Sequence, residues 1–300
     1  MSEIQPTRER STLTRIFLSP DEPRLRAGWR LLIQTVLYLG LQVLFFLVLI
    51  LLFGPIGQST RSIPLQILNF LATTISVFVA RRWLDKRSIE SLGLKLDAHT
   101  WLDILAGIAI SLIQMGFIYV AMLGLGWLTF EGFAWEIDPL GIVISNVFFF
   151  FVIFIFVGWD EELLSRGYHL QTLAGGLNLF WAVVLSSAVF GLLHLANPNA
   201  TWVSAAGIFL AGLFLAYGYI RTRQLWLPIG LHIGWNFFEG VGFGFPVSGL
   251  EDIYKLLRIQ VHGPEIWTGG AFGPEAGLIV VPALLLGALL IYLYTAQRKT

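Results

Sequence analysis

The chain contains no cysteine and carries little charge. Only 13% of its 300 residues are Asp, Glu, Lys or Arg, whereas a typical soluble domain has about 25%. The absence of cysteine excludes disulfide bonds, thiolate metal sites and a cysteine nucleophile. The shortage of charge excludes an ordinary water-soluble surface. The formal net charge is zero and there is no dense basic block, so nothing indicates nucleic-acid binding.

Apolar residues make up 56% of the chain, and most of them fall into long runs. A membrane-spanning helix needs about 20 apolar residues, and a helix satisfies its own backbone polar groups inside lipid. The sequence therefore predicts an all-α fold, a polytopic transmembrane helical bundle of about eight spans. The predicted spans cover residues 30–53, 64–82, 102–128, 140–168, 178–196, 201–220, 225–240 and 276–296.

The Lys and Arg residues predict the orientation of these spans. When the N-terminus is placed in the cytoplasm, only three of the 19 Lys and Arg residues lie on the opposite side, namely Arg61, Lys255 and Arg258. An excess of positive charge in cytoplasmic loops is typical of membrane proteins. We therefore expect an integral, multi-pass membrane protein with both termini in the cytoplasm.

Three polar islands interrupt the apolar runs. The six polar side chains are Glu161, Glu162, Arg166, His194, His232 and Asn236. An ionisable group inside a span costs about 2.5–3.5 kcal/mol on insertion scales, so such groups usually face a cavity and have partners. Carboxylates, imidazoles and an amide are also the components of a hydrolytic site. Together they indicate an enzyme that uses water inside a membrane.

The first island predicts different roles for its two carboxylates. Glu162 and Arg166 lie four residues apart and share one helix face, which favours an ion pair. Glu161 lies about 100° further round the helix, and without a cation it is the better base. The alternative for this island is a solvated helix end with an ordinary salt bridge.

The other two islands are ambiguous when each is taken alone. His194 in an apolar stretch is more often a hydrogen-bonded core histidine than a ligand. His232 and Asn236 lie one helical turn apart, so two neutral donors could hold an oxyanion. The alternatives for this pair are metal binding or a polar contact between helices. Glu239, which follows closely, is expected at the rim of the site.

The order of the islands resembles a known family. Glu-Glu-x-x-x-Arg, Phe-x-x-x-His and His-x-x-x-Asn, within residues 161–236, resemble the motifs of the CPBP family of CAAX prenyl endopeptidases and bacteriocin-processing proteins. The resemblance implies an intramembrane endopeptidase, either metal-dependent or glutamate-dependent. It also implies a peptide substrate, prenylated in some members, at the lipid bilayer.

The resemblance implies a role for each matched residue. Glu161 would polarise the attacking water with the support of Glu162, and His194 would help to hold that water or a metal. His232 and Asn236 would stabilise the oxyanion. A zinc ion, where one is used, would be bound by Glu161, His194 and His232. The compact H-E-x-x-H zinc signature is absent, and a His–Glu pair can also activate water without a metal.

Two other functions fit the same composition. A proton-coupled transporter could use the Glu and His side chains as a proton relay, although the sequence shows no repeated halves. A non-catalytic membrane scaffold or immunity protein could keep the fold, although the complete set of polar residues disfavours it. The simplest domain organisation is a polar, Arg-rich segment at 1–29 and one transmembrane domain at 30–300, with the catalytic core at 140–240.

Distances along the predicted helices conflict with a shared site. At 1.5 Å per residue from the cytoplasmic ends, Glu161 and His232 lie about 10 Å deep, but His194 lies about 24 Å deep. These groups can meet only if the helix before His194 begins outside the bilayer or tilts. We therefore predict that part of residues 171–182 lies in the cytoplasm or interface.

In the long loop after residue 240, residues 250–261 predict a short interfacial helix.

Overall fold

A computed structural model describes residues 12–20, 22, 24–54, 63–296 and 298 of the chain. Helices make up most of these residues and pack as a polytopic bundle, so the all-α prediction is confirmed. Residues 1–11 of the predicted N-terminal segment lie outside the described residues, as does Arg61. The predicted division into a segment and one domain stays a prediction.

The helices follow the apolar runs closely. They are α1 Thr12–Phe17, α2 Ala27–Phe53, α3 Ile63–Val79, α4 Thr100–Gly124, α5 Leu140–Glu162, α6 Gln171–Ala174, α7 Leu179–Leu193, α8 Trp202–Thr222, α9 Trp226–Asn236, α10 Glu265–Thr268 and α11 Val280–Ala296. Three of them, α3, α5 and α9, continue into π-helical segments. These segments are Ala80–Leu84, Leu163–Leu170 and Phe237–Gly242.

Among the described residues, six helices rather than about eight are long and apolar enough to cross a membrane. The predicted seventh span corresponds to α9, which has 11 residues, all but the first of them buried. Its apolar sequence therefore reflects contact with protein, not with lipid. The predicted eighth span corresponds to α11, an apolar helix of 17 residues, whereas each of the six has at least 18 residues when α3 is counted to Leu84 and α7 to Ala196.

Helix α9 lies against α4 with almost no space between the two backbones. A Cβ atom built on Gly230 would overlap the backbone of Ile104, and one on Gly234 would lie 2.8 Å from Ile108 Cα. Glycines at this spacing allow such close approach between helices. The contact places α9 in the interior of the bundle, where it carries two of the predicted site residues.

A small antiparallel sheet joins two connections of the bundle. Strands β1 (Leu128–Phe133) and β2 (Leu257–Val261) pair with a bulge between Phe130 and Gly132. The prediction of an interfacial helix over residues 250–261 is wrong for this part of the loop. Apolar residues alternate with polar ones along β2, which is the period of a strand, and β1 supplies the pairing partner.

Buried charges fasten α2 to the end of α3. The Asp85 side chain is fully buried and accepts hydrogen bonds from Arg30 and from Arg81, the latter at 3.0 Å. Arg81 also donates to Gln171 Oε1 at 2.8 Å. Buried charges require such pairing. Arg30 and Arg81, which are counted among the predicted cytoplasmic positive charges, therefore also hold helices together.

The longest apolar helix runs from Leu140 to Ala174 through α5, its π-helical segment and α6, a total of 35 residues. At 1.5 Å per residue it is about 52 Å long, which exceeds a hydrocarbon core of about 30 Å. The helix must therefore tilt strongly or project from the membrane. Exposed residues 175–180 follow its end, and their predicted place outside the bilayer stays a prediction.

Candidate active site

Helices α5 and α9 and the residue directly after α7 bring four of the predicted polar residues to one cavity with a volume of about 260 Å³, namely Glu161, His194, His232 and Asn236. Most of its wall is apolar. The polar side chains that line it are Gln66, Asn69, Asp160, Glu161, His194, Asn197, His232, Asn236, Ser248 and Glu275. Glu162 and Arg166 contact this set from behind. The conflict in depth is resolved by the arrangement of the helices, because His194 comes within 3.7 Å of Glu161.

Glu162 and Arg166 form an ion pair in the interior of the protein. Arg166 Nη1 donates to Glu162 Oε1 at 2.8 Å, and both side chains are almost completely buried. Arg166 Nη2 also donates to the Gly212 carbonyl at 3.0 Å, and the guanidinium lies 4.4 Å from the centre of the Phe190 ring. The alternative of a solvated salt bridge is therefore not found. These contacts leave Glu162 in a fixed position.

His232 is oriented by the same carboxylate. Its Nδ1 lies 2.9 Å from Glu162 Oε1, and since a carboxylate only accepts, Nδ1 carries the hydrogen. The other nitrogen, Nε2, then faces Glu161 Oε2 at 3.7 Å. The Glu162–His232 contact is the kind that fixes the tautomer of a catalytic histidine.

His194 is oriented by its own helix. It follows the last residue of α7, and its Nδ1 lies 2.8 Å from the Phe190 carbonyl oxygen. That oxygen can only accept, so Nδ1 again carries the hydrogen. His194 Nε2 lies 3.7 Å from Glu161 Oε2. Both imidazoles in their neutral form therefore direct a lone pair towards the same carboxylate.

Glu161 differs from its neighbour in its exposure and in what faces its free oxygen. Its side chain is about one-third exposed, but Oε2 is buried and has no hydrogen-bond partner among the described residues. Three acceptor atoms, from Glu161, His194 and His232, thus surround one region of the cavity. Acceptors converge in this way around a hydrogen-bond donor or a cation.

The fit of a zinc ion can be tested on these atoms. Nitrogen and carboxylate donors suit zinc, but with ligand distances near 2.1 Å a tetrahedral site has ligand–ligand separations of about 3.4 Å. The two separations from Glu161 Oε2 are each 3.7 Å. Within the described part of the chain, no group of three or more His, Cys, Asp or Glu is placed to hold an ion. The donor atoms are therefore of a type that suits zinc, but their separations from Glu161 Oε2 are about 0.3 Å wider than in an ideal tetrahedral site.

Asn236 lies one turn after His232 and lines the same cavity, with 8% of its surface exposed. It is the last residue of α9, and the π-helical segment begins directly after it. The glycine contact with α4 fixes the position of this short helix. The imidazole of His232 and the amide of Asn236 are therefore presented by one rigid element.

Sequence reasoning assigned no role to two acidic residues of this cavity and misplaced a third. Glu275 accepts hydrogen bonds from Trp235 Nε1 at 3.1 Å and from the Ser248 backbone and hydroxyl at 2.9 and 2.6 Å. Asp160 lines the cavity beside Glu161. Glu239, expected at the rim, is fully buried, so that expectation is wrong. The i, i+4 spacing identifies partners on one helix, whereas Glu275 is brought in from a distant loop.

Comparisons with known proteins agree with the motifs. Residues 143–238, which contain all three polar islands, match the family described as "Type II CAAX prenyl endopeptidase Rce1-like". The chain is also 25% identical over 269 residues to the "Putative membrane peptidase YdiL" of Bacillus subtilis (strain 168), covering 83% of this chain and 100% of that relative. The predicted family resemblance is confirmed. The chain is an integral, multi-pass membrane protein, and both matches support a protease.

Proposed function

We propose that this protein is an intramembrane endopeptidase that hydrolyses a peptide bond of a membrane-associated substrate by attack of water activated by Glu161. One observation carries the proposal. The buried Glu161 Oε2 has no hydrogen-bond partner among the described residues and faces the Nε2 atoms of two imidazoles in a cavity between membrane helices. The family match and the bacterial relative support the peptidase class.

Glu161 acts as the general base. Its free oxygen accepts a proton from the water as the water oxygen bonds to the carbonyl carbon of the substrate. The Glu161 carboxyl then gives this proton to the leaving amine as the C–N bond breaks and the tetrahedral intermediate collapses. Glu162 is unsuited to this role, because its side chain is fully buried, its Oε1 is held by Arg166 and His232, and it does not line the cavity. His194, held by the Phe190 carbonyl, keeps the water against Glu161.

His232 and Asn236 stabilise the oxyanion that forms on the substrate carbonyl. To donate to the oxyanion, His232 must carry a hydrogen on Nε2 as well as on Nδ1, and the Glu162 carboxylate 2.9 Å from Nδ1 stabilises this cationic form. The Asn236 amide supplies a second donor from the same helix. Donors fixed in advance around a developing negative charge are commonly the largest contribution to acyl-transfer catalysis.

We propose that the reaction uses no metal, because Glu161 Oε2 lies farther from both imidazoles than in an ideal tetrahedral zinc site and a His–Glu pair can activate water directly. Treatment with a chelator should therefore leave the peptidase activity essentially unchanged, and the purified protein should contain far less than one zinc atom per chain. Activity that is lost with the chelator and restored by added zinc would contradict this part of the proposal.

The substrate is proposed to be a peptide segment at the membrane surface, with a prenylated CAAX peptide as the first candidate from the family description. A suitable test uses the full chain in lipid vesicles with matched quenched-fluorescence peptides, one farnesylated and one not, and a library of unmodified peptides. The site should cleave at least one of them, and mass spectrometry should identify the bond.

Glu161→Gln tests the mechanism directly. It should lower kcat by about a thousandfold, because the general base and the orientation of the water are lost together. The matched control is Glu131→Gln, on an exposed position of β1, which should cleave normally. Undiminished cleavage by the Glu161→Gln variant would overturn the mechanism. If the unaltered protein cleaves no peptide, proton flux across the vesicles would indicate a transporter, and its absence a scaffold.

A further inference from the structure

A polar network crosses three membrane helices beside the candidate active site. Asn69 on α3 donates from Nδ2 to Asp160 Oδ2 on α5 at 2.7 Å. Asn69 Oδ1 in turn accepts from the Tyr38 hydroxyl at 2.8 Å and from Gln42 Nε2, both on α2. Polar groups inside membrane helices are costly and often mark functional positions.

The network fixes the direction in which Asn69 points. Two donors on α2 occupy its carbonyl oxygen, so its NH₂ group must face Asp160. The 2.7 Å contact is a short hydrogen bond. Asp160 is therefore held as an acceptor through Oδ2.

The second oxygen of Asp160 is left without a partner. Only 2% of the residue is exposed, and Oδ1 has no hydrogen-bond partner among the described residues. Asp160 lines the catalytic cavity next to Glu161, together with Asn69 and Gln66. A buried acceptor that is held in place by its neighbours, has no partner and belongs to a cavity-lining residue is suited to binding a ligand.

The charges around the cavity define what this oxygen can bind. Its ionisable lining residues are the carboxyl groups of Asp160, Glu161 and Glu275 and the imidazoles of His194 and His232. No Lys or Arg is among the described residues that line it. The surroundings therefore disfavour an anionic ligand and favour a hydrogen-bond donor.

We propose that Asp160 Oδ1 is a substrate-binding acceptor that takes an N–H group of the peptide next to the bond cleaved by Glu161. The inference rests on the proposed function and adds a specificity-determining contact to it. The donor is either a main-chain amide or the cationic side chain of a Lys or Arg. Asn69 acts as the positioning residue that aims Asp160.

Binding can be measured separately from catalysis in the Glu161→Gln background. The probe is the fluorescent peptide that the unaltered protein cleaves fastest, or the farnesylated CAAX peptide if none is cleaved, and the readout is fluorescence anisotropy in nanodiscs. Adding Asp160→Asn should weaken binding roughly ten- to hundredfold, as expected when a buried hydrogen-bonding group loses its partner. Asn69→Ala, which leaves the carboxylate but not its orientation, should have a smaller effect in the same direction.

Altered peptides identify the source of the donor. If the donor is a main-chain amide, N-methylation at one position of the peptide should remove it. The proteins with and without Asp160→Asn should then bind that peptide equally well. If it is a side chain, replacing a Lys or Arg of the peptide by norleucine should have the same effect. In cleavage assays, Asp160→Asn in the otherwise unaltered protein should raise KM and leave kcat nearly unchanged.

The matched control is Asp103→Asn. Asp103 is 1% exposed and pairs with Tyr294 and Arg298 away from the cavity, so its loss should not change peptide affinity. Unchanged affinity in the Asp160→Asn protein would overturn the proposal. So would an affinity loss on Asp160→Asn that is the same for every altered peptide as for the original one. A fall in kcat without a rise in KM would also contradict it. Unimpaired catalysis after Glu161→Gln would instead contradict the proposed function. The anisotropy measurement would still show whether Asp160 binds the peptide.

Discussion

At the scale of single residues, Glu161 and Glu162 are adjacent in sequence and have opposite surroundings. Glu162 is enclosed and holds both Arg166 and His232, whereas Glu161 keeps one buried oxygen free at the cavity. A helix separates consecutive side chains by about 100°, which is enough to place one carboxylate in the protein interior and the other at the substrate. The pair therefore divides structural support from chemistry.

Glu162→Gln should damage stability as well as activity. The substitution leaves the Arg166 guanidinium buried without its counter-charge, which typically costs roughly 3–5 kcal/mol when one partner of a buried pair is removed. Thermal unfolding in detergent should therefore begin at a markedly lower temperature than for Glu161→Gln, whose side chain is partly exposed. Equal unfolding temperatures for the two variants would contradict the division of roles.

Asn236→Ala should lower kcat with little change in KM. Loss of one oxyanion donor typically costs about 10²–10³ in kcat, and the amide is expected to act mainly in the transition state. Steady-state kinetics on the best peptide substrate measure both constants. Asn236→Asp is the companion variant, since it keeps the size but replaces a donor by an acceptor. High activity in the Asn236→Asp variant would exclude a donor role for Asn236.

Local spacing predicted only the contacts that lie on one helix. The Glu162–Arg166 pair follows from four residues of separation, and the structure contains it. Asn69 and Asp160 are 91 residues apart, and Glu275 lies in a loop far from the motifs. Their places depend on how the helices pack, which the periodicity of one sequence does not determine.

At the scale of elements, the apolar runs predicted most helices to within a few residues, because length and hydrophobicity suffice for a lipid-facing helix. They predicted the α9 helix but not its enclosure by protein, since a helix surrounded by protein is as apolar as one surrounded by lipid. They also failed for β2, whose strand depends on pairing with β1, more than 120 residues earlier. Both errors concern partners distant in sequence.

Gly230→Ala should disturb α9 and the site that it carries. The added methyl group would meet the Ile104 backbone, which cannot move aside like a side chain, and overpacking of this kind costs about 1–3 kcal/mol. The variant should unfold at a lower temperature and lose peptidase activity. Gly40→Ala on α2, where nothing lies within 4 Å of the new Cβ, is the control and should be neutral or slightly stabilising.

At the scale of the whole molecule, hydrogen bonds join the loop after α3 to the loop after α8 at one end of the bundle. Leu225 N donates to the Gly93 carbonyl at 2.8 Å, and Lys95 N donates to Gln224 Oε1 at 3.1 Å. The loop after α3 and the loop after α8 therefore lie on one side of the membrane. The charge bias predicts that this side is cytoplasmic.

Single cysteines can test this orientation, because the chain has none of its own. Lys95→Cys and Arg223→Cys should react with a membrane-impermeant maleimide only after the cells are permeabilised. Glu131→Cys, on exposed β1, should react in intact cells. Gel-shift labelling gives the result for each position. The reverse pattern would place the termini on the outer side and reject the predicted orientation.

Because protein encloses α9, the positions of the catalytic side chains should not depend on which lipid or detergent surrounds the bundle. Acyl chains can press on the outer helices, but ten of the 11 residues of α9 are buried, His232 and Asn236 among them. Extraction from a bilayer into a mild detergent should therefore preserve the spacing of these two side chains. Differences in turnover between thick and thin membranes would then arise from delivery of the peptide rather than from distortion of the catalytic groups.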